Sequence, residues 1–290
     1  MPFYPSHKKF TLSFELFPPK TPAGETAMYA SVNDLMAFRP DVITCTYGAG
    51  GSTRDKTLEI TQQVKTRFGV KVASHLTCVG STVEQLRDYL REAQARGVEN
   101  IVALRGDPPQ GETKFSAVQG GLNYAEQLVR LIHEEFPAFG VAVAGYPETH
   151  QEALSPQADL ENLRRKVAAG GDCIITQLFY DNADFFRFRD ACDKLNLRVP
   201  LIPGILPITN LAQIQRITSL CKAKLPADFI AKLGQQDDAE WQFQAGVDLA
   251  IEQVQGLIRG GAPGVHFYVL NKSHATSAVL QAVGVNGCCS

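Results

Sequence analysis

The sequence predicts an α/β protein built as a (β/α)8 TIM barrel with extra helices between the seventh and eighth strands. Short strand-like runs alternate with helix-like stretches about eight times along the 290 residues. This alternation is typical of a parallel sheet. A closed barrel is favoured over an open doubly wound sheet because polar residues gather at the ends of nearly all the strands, and only a barrel brings those ends to one mouth.

The predicted strands are short runs rich in residues that favour β structure. They are Thr11–Phe17, Asp41–Tyr47, Lys71–Thr77, Asn100–Arg105, Val141–Gly145, Asp172–Phe179, Val199–Ile205 and Val265–Leu270. The stretches between them place apolar residues at helical spacing and end at glycine, as a helix C-cap does. Leu86 and Leu90 before Gly97 are one example.

The segment from Pro207 to Pro263 is too long for the single helix expected before the last strand. Its apolar residues, among them Ile214 and Val247, keep helical spacing, so two or three extra helices and no strand are predicted there. No linker, composition change or repeat divides the chain, which predicts one domain over residues 1–290.

Composition excludes several classes of protein. Lys and Arg number 28 against 30 Asp and Glu, a net charge of −2 that argues against nucleic acid as a partner. No apolar run approaches the length of a membrane span. The N-terminus lacks a secretory signal and the seven cysteines lack regular spacing, so we expect a cytoplasmic protein. No motif indicates a metal site.

Glu15 is a candidate catalytic residue. Strand alternation puts Leu12, Phe14 and Leu16 on one face and Ser13 and Glu15 on the other, which in a barrel points inward. We expect burial to raise the pKa of this carboxylic acid, so that it can donate a proton near neutral pH. An internal salt bridge is the structural alternative.

Other motifs leave two interpretations open. The glycine-rich turn after Thr46 and Tyr47 either approaches a ligand or is a tight βα turn capped by Ser52 or Thr53. Arg105 and Asp107 either present charge to a ligand from a proline-stiffened loop or pair with each other at the surface.

Three further groups are equally ambiguous. His75 is either a core histidine or a ligand contact. Asp159, Asn162 and Lys166 share one helix face, which is by default solvated. Gln177 ends a strand, where its amide can contact a ligand.

Eight short motifs in order resemble one enzyme family over nearly the whole chain, from about residue 14 to 271. They are Ser13-Phe14-Glu15, Thr46-Tyr47-Gly48-Ala49, His75-Leu76-Thr77-Cys78, Arg105-Gly106-Asp107-Pro108-Pro109, Tyr146-Pro147-Glu148-Thr149-His150, Ile175-Thr176-Gln177-Leu178-Phe179, Pro203-Gly204-Ile205-Leu206-Pro207 and His266-Phe267-Tyr268-Val269-Leu270-Asn271. Together they resemble methylenetetrahydrofolate reductases of the bacterial stand-alone type.

The resemblance implies an enzyme with FAD at the C-terminal rim of the barrel. It implies reduction of 5,10-methylenetetrahydrofolate to 5-methyltetrahydrofolate by a ping-pong route, with NADH or NADPH as electron donor. Glu15 is then the general acid that opens the substrate's five-membered ring, and Asp107 stabilises the iminium cation that forms. A flavin- or folate-binding barrel without turnover is the alternative.

Matching positions assign the ligand contacts. The implied flavin contacts are Thr46, Tyr47, His75, Arg105, Gly106, Asp107, Ala125, Tyr146, His150, Ala153, Asp159, Asn162, Arg165 and Lys166. The implied substrate contacts are Glu15, Asp107, Gln177, Gln213 and Lys272.

The sequence departs from the family pattern at two positions. Lys272 stands where an arginine is expected, and a lysine cannot make the same two-pronged contact with a folate carboxylate. Ile217 stands where an aromatic ring stacks over the substrate. The resemblance also implies a homo-oligomer with no C-terminal regulatory domain.

Overall fold

The computed structural model describes residues 2–4, 10–47, 54–108, 111 and 115–285. The glycine-rich turn at 48–53 and the cysteine pair Cys288 and Cys289 lie outside the described residues, as does part of the 110–121 stretch.

Parallel strands form a single barrel, as predicted. They are β1 Thr11–Leu16, β2 Val42–Cys45, β3 Lys71–Thr77, β4 Asn100–Leu104, β5 Gly140–Gly145, β6 Cys173–Thr176, β7 Leu201–Ile202, β8 Gly204–Ile205 and β9 Gly264–Tyr268. Their order is β7-β6-β5-β4-β3-β2-β1-β9-β8. All neighbours pair in parallel, for example Glu15 beside Thr44 and beside Tyr268.

The ring closes through β7 and β8, which are two halves of one barrel strand. β7 pairs with β6 and β8 pairs with β9. Pro203 lies between the halves and has no N–H to donate, which explains why the predicted strand Val199–Ile205 is interrupted. Its carbonyl still accepts a hydrogen bond from the backbone of His266 at 2.9 Å.

Helices follow most strands and cover the outside of the barrel. They are α1 Pro22–Leu35, α2 Arg54–Phe68, α3 Val83–Ala95, α4 Ala125–Glu135, α5 Pro156–Ala168, α6 Asn182–Lys194, α7 Leu211–Cys221, α8 Ala227–Leu233, α9 Ala239–Arg259 and α10 His274–Val283. Three of them, α7 to α9, separate the seventh and eighth barrel strands, so the prediction of extra helices there is confirmed.

Several predicted strands were too long at their C-terminal ends. The run Asp172–Phe179 pairs only as Cys173–Thr176, and Val265–Leu270 leaves the sheet after Tyr268. Leu270 and Asn271 have φ of 48° and 57°, which no strand accommodates. Apolar character continues past the last strand pairing because these residues stay buried. Phe179 and Val269 pack in the core, and Leu178 borders the cavity described below.

The core has two layers, which follow from strand alternation. Leu12, Phe14 and Leu16 pack between the barrel and its helices, as predicted. The interior is filled by small and branched side chains, and Phe3 and Tyr4 pack among them. The Asp172 carboxylate holds this segment by accepting from the Phe3 backbone N–H at 2.9 Å.

The contact of α9 with the chain after β8 can be tested at Gly246. A Cβ atom there would lie 1.8 Å from the Ile208 carbonyl oxygen, so Gly246→Ala must displace the helix. We expect a loss of about 2–4 kcal/mol in the free energy of unfolding, by overpacking. The measurement is urea unfolding.

Gly234→Ala is the matched control, since its added Cβ would come no closer than 3.5 Å to the Ile230 carbonyl. It should be neutral or slightly stabilising, because alanine favours helix. Equal stability of the two variants would contradict the tight contact.

Candidate active site

The C-terminal ends of the barrel strands open into one cavity of about 800 Å³. Most of the residues singled out in the sequence lie on its wall. These are Glu15, Thr46, Tyr47, His75, Arg105, Gly106, Asp107, Ala125, Tyr146, His150, Ala153, Asp159, Asn162, Arg165, Lys166 and Gln177. Strand ends and the α5 face therefore share one space, although they are far apart in sequence.

Gln213 and Lys272 are not on that wall. Gln213, on α7, borders a small apolar cavity that shares Ile217 with the large one. Its side-chain oxygen accepts from Thr209 Oγ1 at 2.5 Å. Lys272 is exposed in the turn after β9.

Glu15 lies inside the barrel between two histidines from other strands. Its Oε2 atom is 3.2 Å from His75 Nε2 and 3.4 Å from His266 Nε2. The His75 contact lacks the alignment of a hydrogen bond, so it acts mainly through charge. The carboxylate side chain is 17% exposed and that of His266 1%, so water screens this cluster weakly.

The expected rise in the Glu15 pKa is wrong. Burial raises this pKa, but the positive charge of His75 and the hydrogen bond from His266 outweigh it and lower the value from 4.5 to about 2. The sequence argument weighed desolvation without knowing which groups from β3 and β9 would face the carboxylate. The structural alternative, an internal salt bridge, describes the observed contacts better.

Polar groups deeper in the barrel interior fix the orientation of His266. Its Nδ1 atom lies 2.8 Å from Ser13 Oγ, which lies 2.6 Å from the Tyr4 hydroxyl. Burial raises the pKa of Tyr4 well above its usual value, so its phenol stays protonated. A chain of buried polar groups thus runs from the barrel interior up to Glu15.

Arg105 and Asp107 do not pair with each other. Arg105 makes a bidentate ion pair with Glu152 at 2.7 and 2.8 Å, and its guanidinium lies over the Phe115 ring. Asp107 is exposed and free to face the cavity mouth. Between them Gly106 has φ of +88°, and an added Cβ would lie 2.7 Å from Val79 Cγ1, so only glycine fits this turn.

Lys166 is a half-buried cation on the wall of the cavity. Its Nζ atom donates to the Ala144 carbonyl at 2.6 Å and lies over the Tyr146 ring. Burial lowers the pKa of Lys166 from 10.5 to about 8, and Asp159 offsets only part of this effect. Asp159 instead accepts from the His150 backbone N–H at 2.9 Å. The helix face predicted by default to be solvated therefore meets the cavity.

Sequence reasoning missed several residues of the wall, including Thr77, Glu152 and Tyr268. Tyr268 ends β9 and donates to the Thr176 carbonyl at 2.7 Å, so the strand-end argument could have found it. Nothing in the sequence marks Glu152 as the partner of Arg105. His266 stood in a recognised motif but was assigned no role.

Neither a metal site nor a membrane-spanning helix is present among the residues that the structure describes. No group of three or more His, Cys, Asp or Glu side chains in that part of the chain is arranged to hold a metal ion. No helix among the same residues is long and apolar enough to cross a membrane.

Comparison with known proteins is consistent across nearly the whole chain. The methylenetetrahydrofolate reductase family model matches residues 3–284. The chain is 39% identical to 5,10-methylenetetrahydrofolate reductase of Escherichia coli K12, over 96% of this chain and 92% of that protein. It is also 39% identical to the probable methylenetetrahydrofolate reductase (NADH) of rice, over 94% of this chain but only 48% of the longer plant protein.

A solved structure shares the fold at low sequence identity. It is a Clostridium thermocellum protein described as binding two copies of 5-methyl-5,6,7,8-tetrahydrofolic acid, with a TM-score of 0.63 and 14% identity. The match covers 96% of this chain and 95% of that one. At this identity the likeness shows the fold alone.

A parallel barrel whose strand ends carry titratable groups around one deep cavity defines an enzyme of the TIM-barrel class. The family match and the identity to the bacterial relatives then define it further. The chain belongs to the methylenetetrahydrofolate reductase family, and it is an oxidoreductase that reduces methylenetetrahydrofolate.

Lys166 gives a test of the cavity's electrostatics without any ligand. Because its pKa is lowered to about 8, the unfolded chain binds this proton more readily, and stability falls as pH drops from about 10.5 to 8 and is constant below. Lys166→Met removes the penalty. Allowing for partial solvent contact, we expect the free energy of unfolding at pH 7 to rise by about 1–3 kcal/mol.

The measurement is urea unfolding of the cofactor-free protein at pH 7 and pH 10, followed by the fluorescence of Trp241. The gain from Lys166→Met should shrink at pH 10. Arg165→Met, at the neighbouring and more exposed position of the same helix, should show no such pH dependence. A gain that is equal at both pH values would contradict a buried, charge-penalised lysine.

Proposed function

We propose that this reductase is a flavoprotein which holds FAD in the 800 Å³ cavity and uses NAD(P)H and methylenetetrahydrofolate in turn, by a ping-pong route. One observation carries the proposal. The positions to which the family resemblance assigns flavin contacts come from four strand ends, α4, α5 and the loop before α5, and all of them border this one cavity.

The residues present suit an anionic dinucleotide. Lys166 is a half-buried amine that donates to one backbone carbonyl, so a phosphate would restore the charge interaction that desolvation weakens. Gly106 borders the same cavity, and its positive φ of 88° keeps the turn between Arg105 and Asp107 tight. Tyr146 and His150 also border the cavity and pack edge to face, with ring centroids 4.6 Å apart, so they offer it aromatic surface. When bound, FAD supplies the hydride chemistry.

Glu15 supplies the proton in this proposal. His75 and His266 lower the pKa of Glu15 to about 2, so the carboxylate must take up a proton before it can donate one. Folate bound in the cavity would displace water from around this carboxylate, and desolvation raises a carboxyl pKa. The proton then passes from Glu15 to the bridging nitrogen of the substrate, and the C–N bond of the five-membered ring breaks.

Asp107 stabilises the cation that ring opening creates. Its carboxylate is exposed at the cavity mouth and has no ion-pair partner among the described residues, because Glu152 occupies Arg105. Gln177 ends β6 on the same wall. Because its amide both donates and accepts, it can orient folate and nicotinamide in turn.

NADH is the proposed electron donor. The rice, maize and Arabidopsis relatives carry NADH in their names. Parallel assays with NADH and NADPH against methylenetetrahydrofolate test this choice directly. A higher kcat/KM with NADPH would reverse it.

Glu15→Gln separates the two halves of the reaction. The amide keeps the size of the side chain but cannot deliver a proton, so we expect FAD to bind and NADH to reduce it, while folate reduction falls by at least 100-fold. Stopped-flow absorbance of the flavin follows both steps. Undiminished folate turnover would exclude the general-acid role, and a wild-type protein that never binds FAD would exclude the flavoprotein itself.

The two departures from the family pattern should differ in effect. Ile217 borders both cavities, so Ile217→Phe adds a stacking surface for the substrate, and we expect the folate KM to fall about threefold to tenfold. Lys272 is exposed and away from the wall, so Lys272→Arg should change the folate KM less than twofold. Steady-state kinetics at saturating NADH measure both. The opposite ranking would place the substrate tail near Lys272.

A further inference from the structure

Asn271 makes an unusual connection between β1 and β9, the strands that carry Glu15 and His266. β1 and β9 pair up to Glu15 and Tyr268, and then β9 leaves the sheet. At that point the Asn271 side chain takes the place of a neighbouring strand. Its Oδ1 accepts from the Phe17 N–H at 3.0 Å, and its Nδ2 donates to the Phe17 carbonyl at 2.8 Å.

The backbone that carries this amide is strained. Leu270 and Asn271 both have positive φ, 48° and 57°, and the Lys272 N–H closes the turn onto the Val269 carbonyl at 2.9 Å. Left-handed residues normally occur singly, and leucine rarely adopts this region. Asparagine tolerates it better than other residues with a Cβ atom. Strain of this kind is retained where the surrounding structure requires a particular geometry.

The turn at Leu270 and Asn271 also lies between the strand that carries Glu15 and the part of the site assigned to the substrate. Leu270 borders the small cavity next to Ile217, on the side assigned to the substrate. Phe17 directly follows β1 and lies two residues after Glu15. The amide therefore fixes the distance between the end of the acid-bearing strand and the loop that borders the substrate.

We propose that Asn271 is a positioning residue, whose paired hydrogen bonds to Phe17 hold the Glu15 strand end in register with the substrate loop. This inference rests on the proposed role of Glu15. It predicts an effect on folate reduction and not on flavin reduction by NADH, because the latter needs no proton from Glu15.

Asn271→Gly is the decisive variant. Glycine adopts the left-handed conformation freely, so the turn keeps its backbone while the amide is lost. We expect kcat/KM for methylenetetrahydrofolate to fall at least tenfold, with the rate of flavin reduction by NADH within twofold of wild type. Stopped-flow measurement of each half-reaction gives the two rates.

Asn196→Gly is the matched control. Asn196 also has a positive φ, 56°, but it follows α6 and its side chain contacts only Arg198 among the described residues. This variant should leave both half-reactions unchanged. A parallel loss of both half-reactions in Asn271→Gly would mean a general structural role, and an unchanged folate rate would mean no role. Either result overturns the inference.

Hydrogen exchange of the Phe17 amide tests the hydrogen bonds between Asn271 and Phe17 independently of enzyme activity. The amide should be protected in the wild type and in Asn271→Asp, which keeps an acceptor oxygen, and should exchange at least tenfold faster in Asn271→Gly. An unprotected Phe17 amide in the wild type overturns the inference even if the reductase is active. If instead neither half-reaction occurs in the wild type, the proposed function fails. The exchange result still decides whether the hydrogen bonds between Asn271 and Phe17 form.

Discussion

Ionising Glu15 inside the barrel has a desolvation cost that two imidazoles, His75 at 3.2 Å and His266 at 3.4 Å, more than offset. Removing either partner would leave a buried charge poorly compensated, which is costly in a low-dielectric interior. The interaction needs a closed barrel, because β1, β3 and β9 must all direct side chains to the same interior point. The closure at the split seventh strand and the interior packing of Phe3 and Tyr4 serve this requirement.

Charge is distributed along the cavity rather than spread evenly over the protein. The acid cluster around Glu15 and the amine of Lys166 are separate groups on the cavity wall, and desolvation lowers the pKa of Lys166 to about 8. Arg105, on the same wall, is already neutralised by Glu152. An anionic ligand therefore gains most near Lys166 and a cationic one near Asp107, which agrees with the orientation proposed for dinucleotide and folate.

The sequence predicted most of the fold because the relevant signals are local. Period-two alternation placed Leu12, Phe14 and Leu16 outside and Ser13 and Glu15 inside, and helical spacing identified α7 and α9. The errors came from ladder pairing, which is not local. Hydrophobic runs such as Asp172–Phe179 continue past the last hydrogen bond, and only the neighbouring strand shows where pairing stops.

For the site, the sequence by itself determined which residue types stand at the strand ends, and the order of those motifs gave the family. The tertiary structure decided their partners: His75 and His266 are 60 and 251 positions from Glu15 in the chain, and Glu152 is 47 from Arg105. A pKa depends on charges within a few ångströms, whatever their separation in sequence. Hence the carboxylate's position followed from alternation, whereas the direction of its pKa shift required the folded barrel.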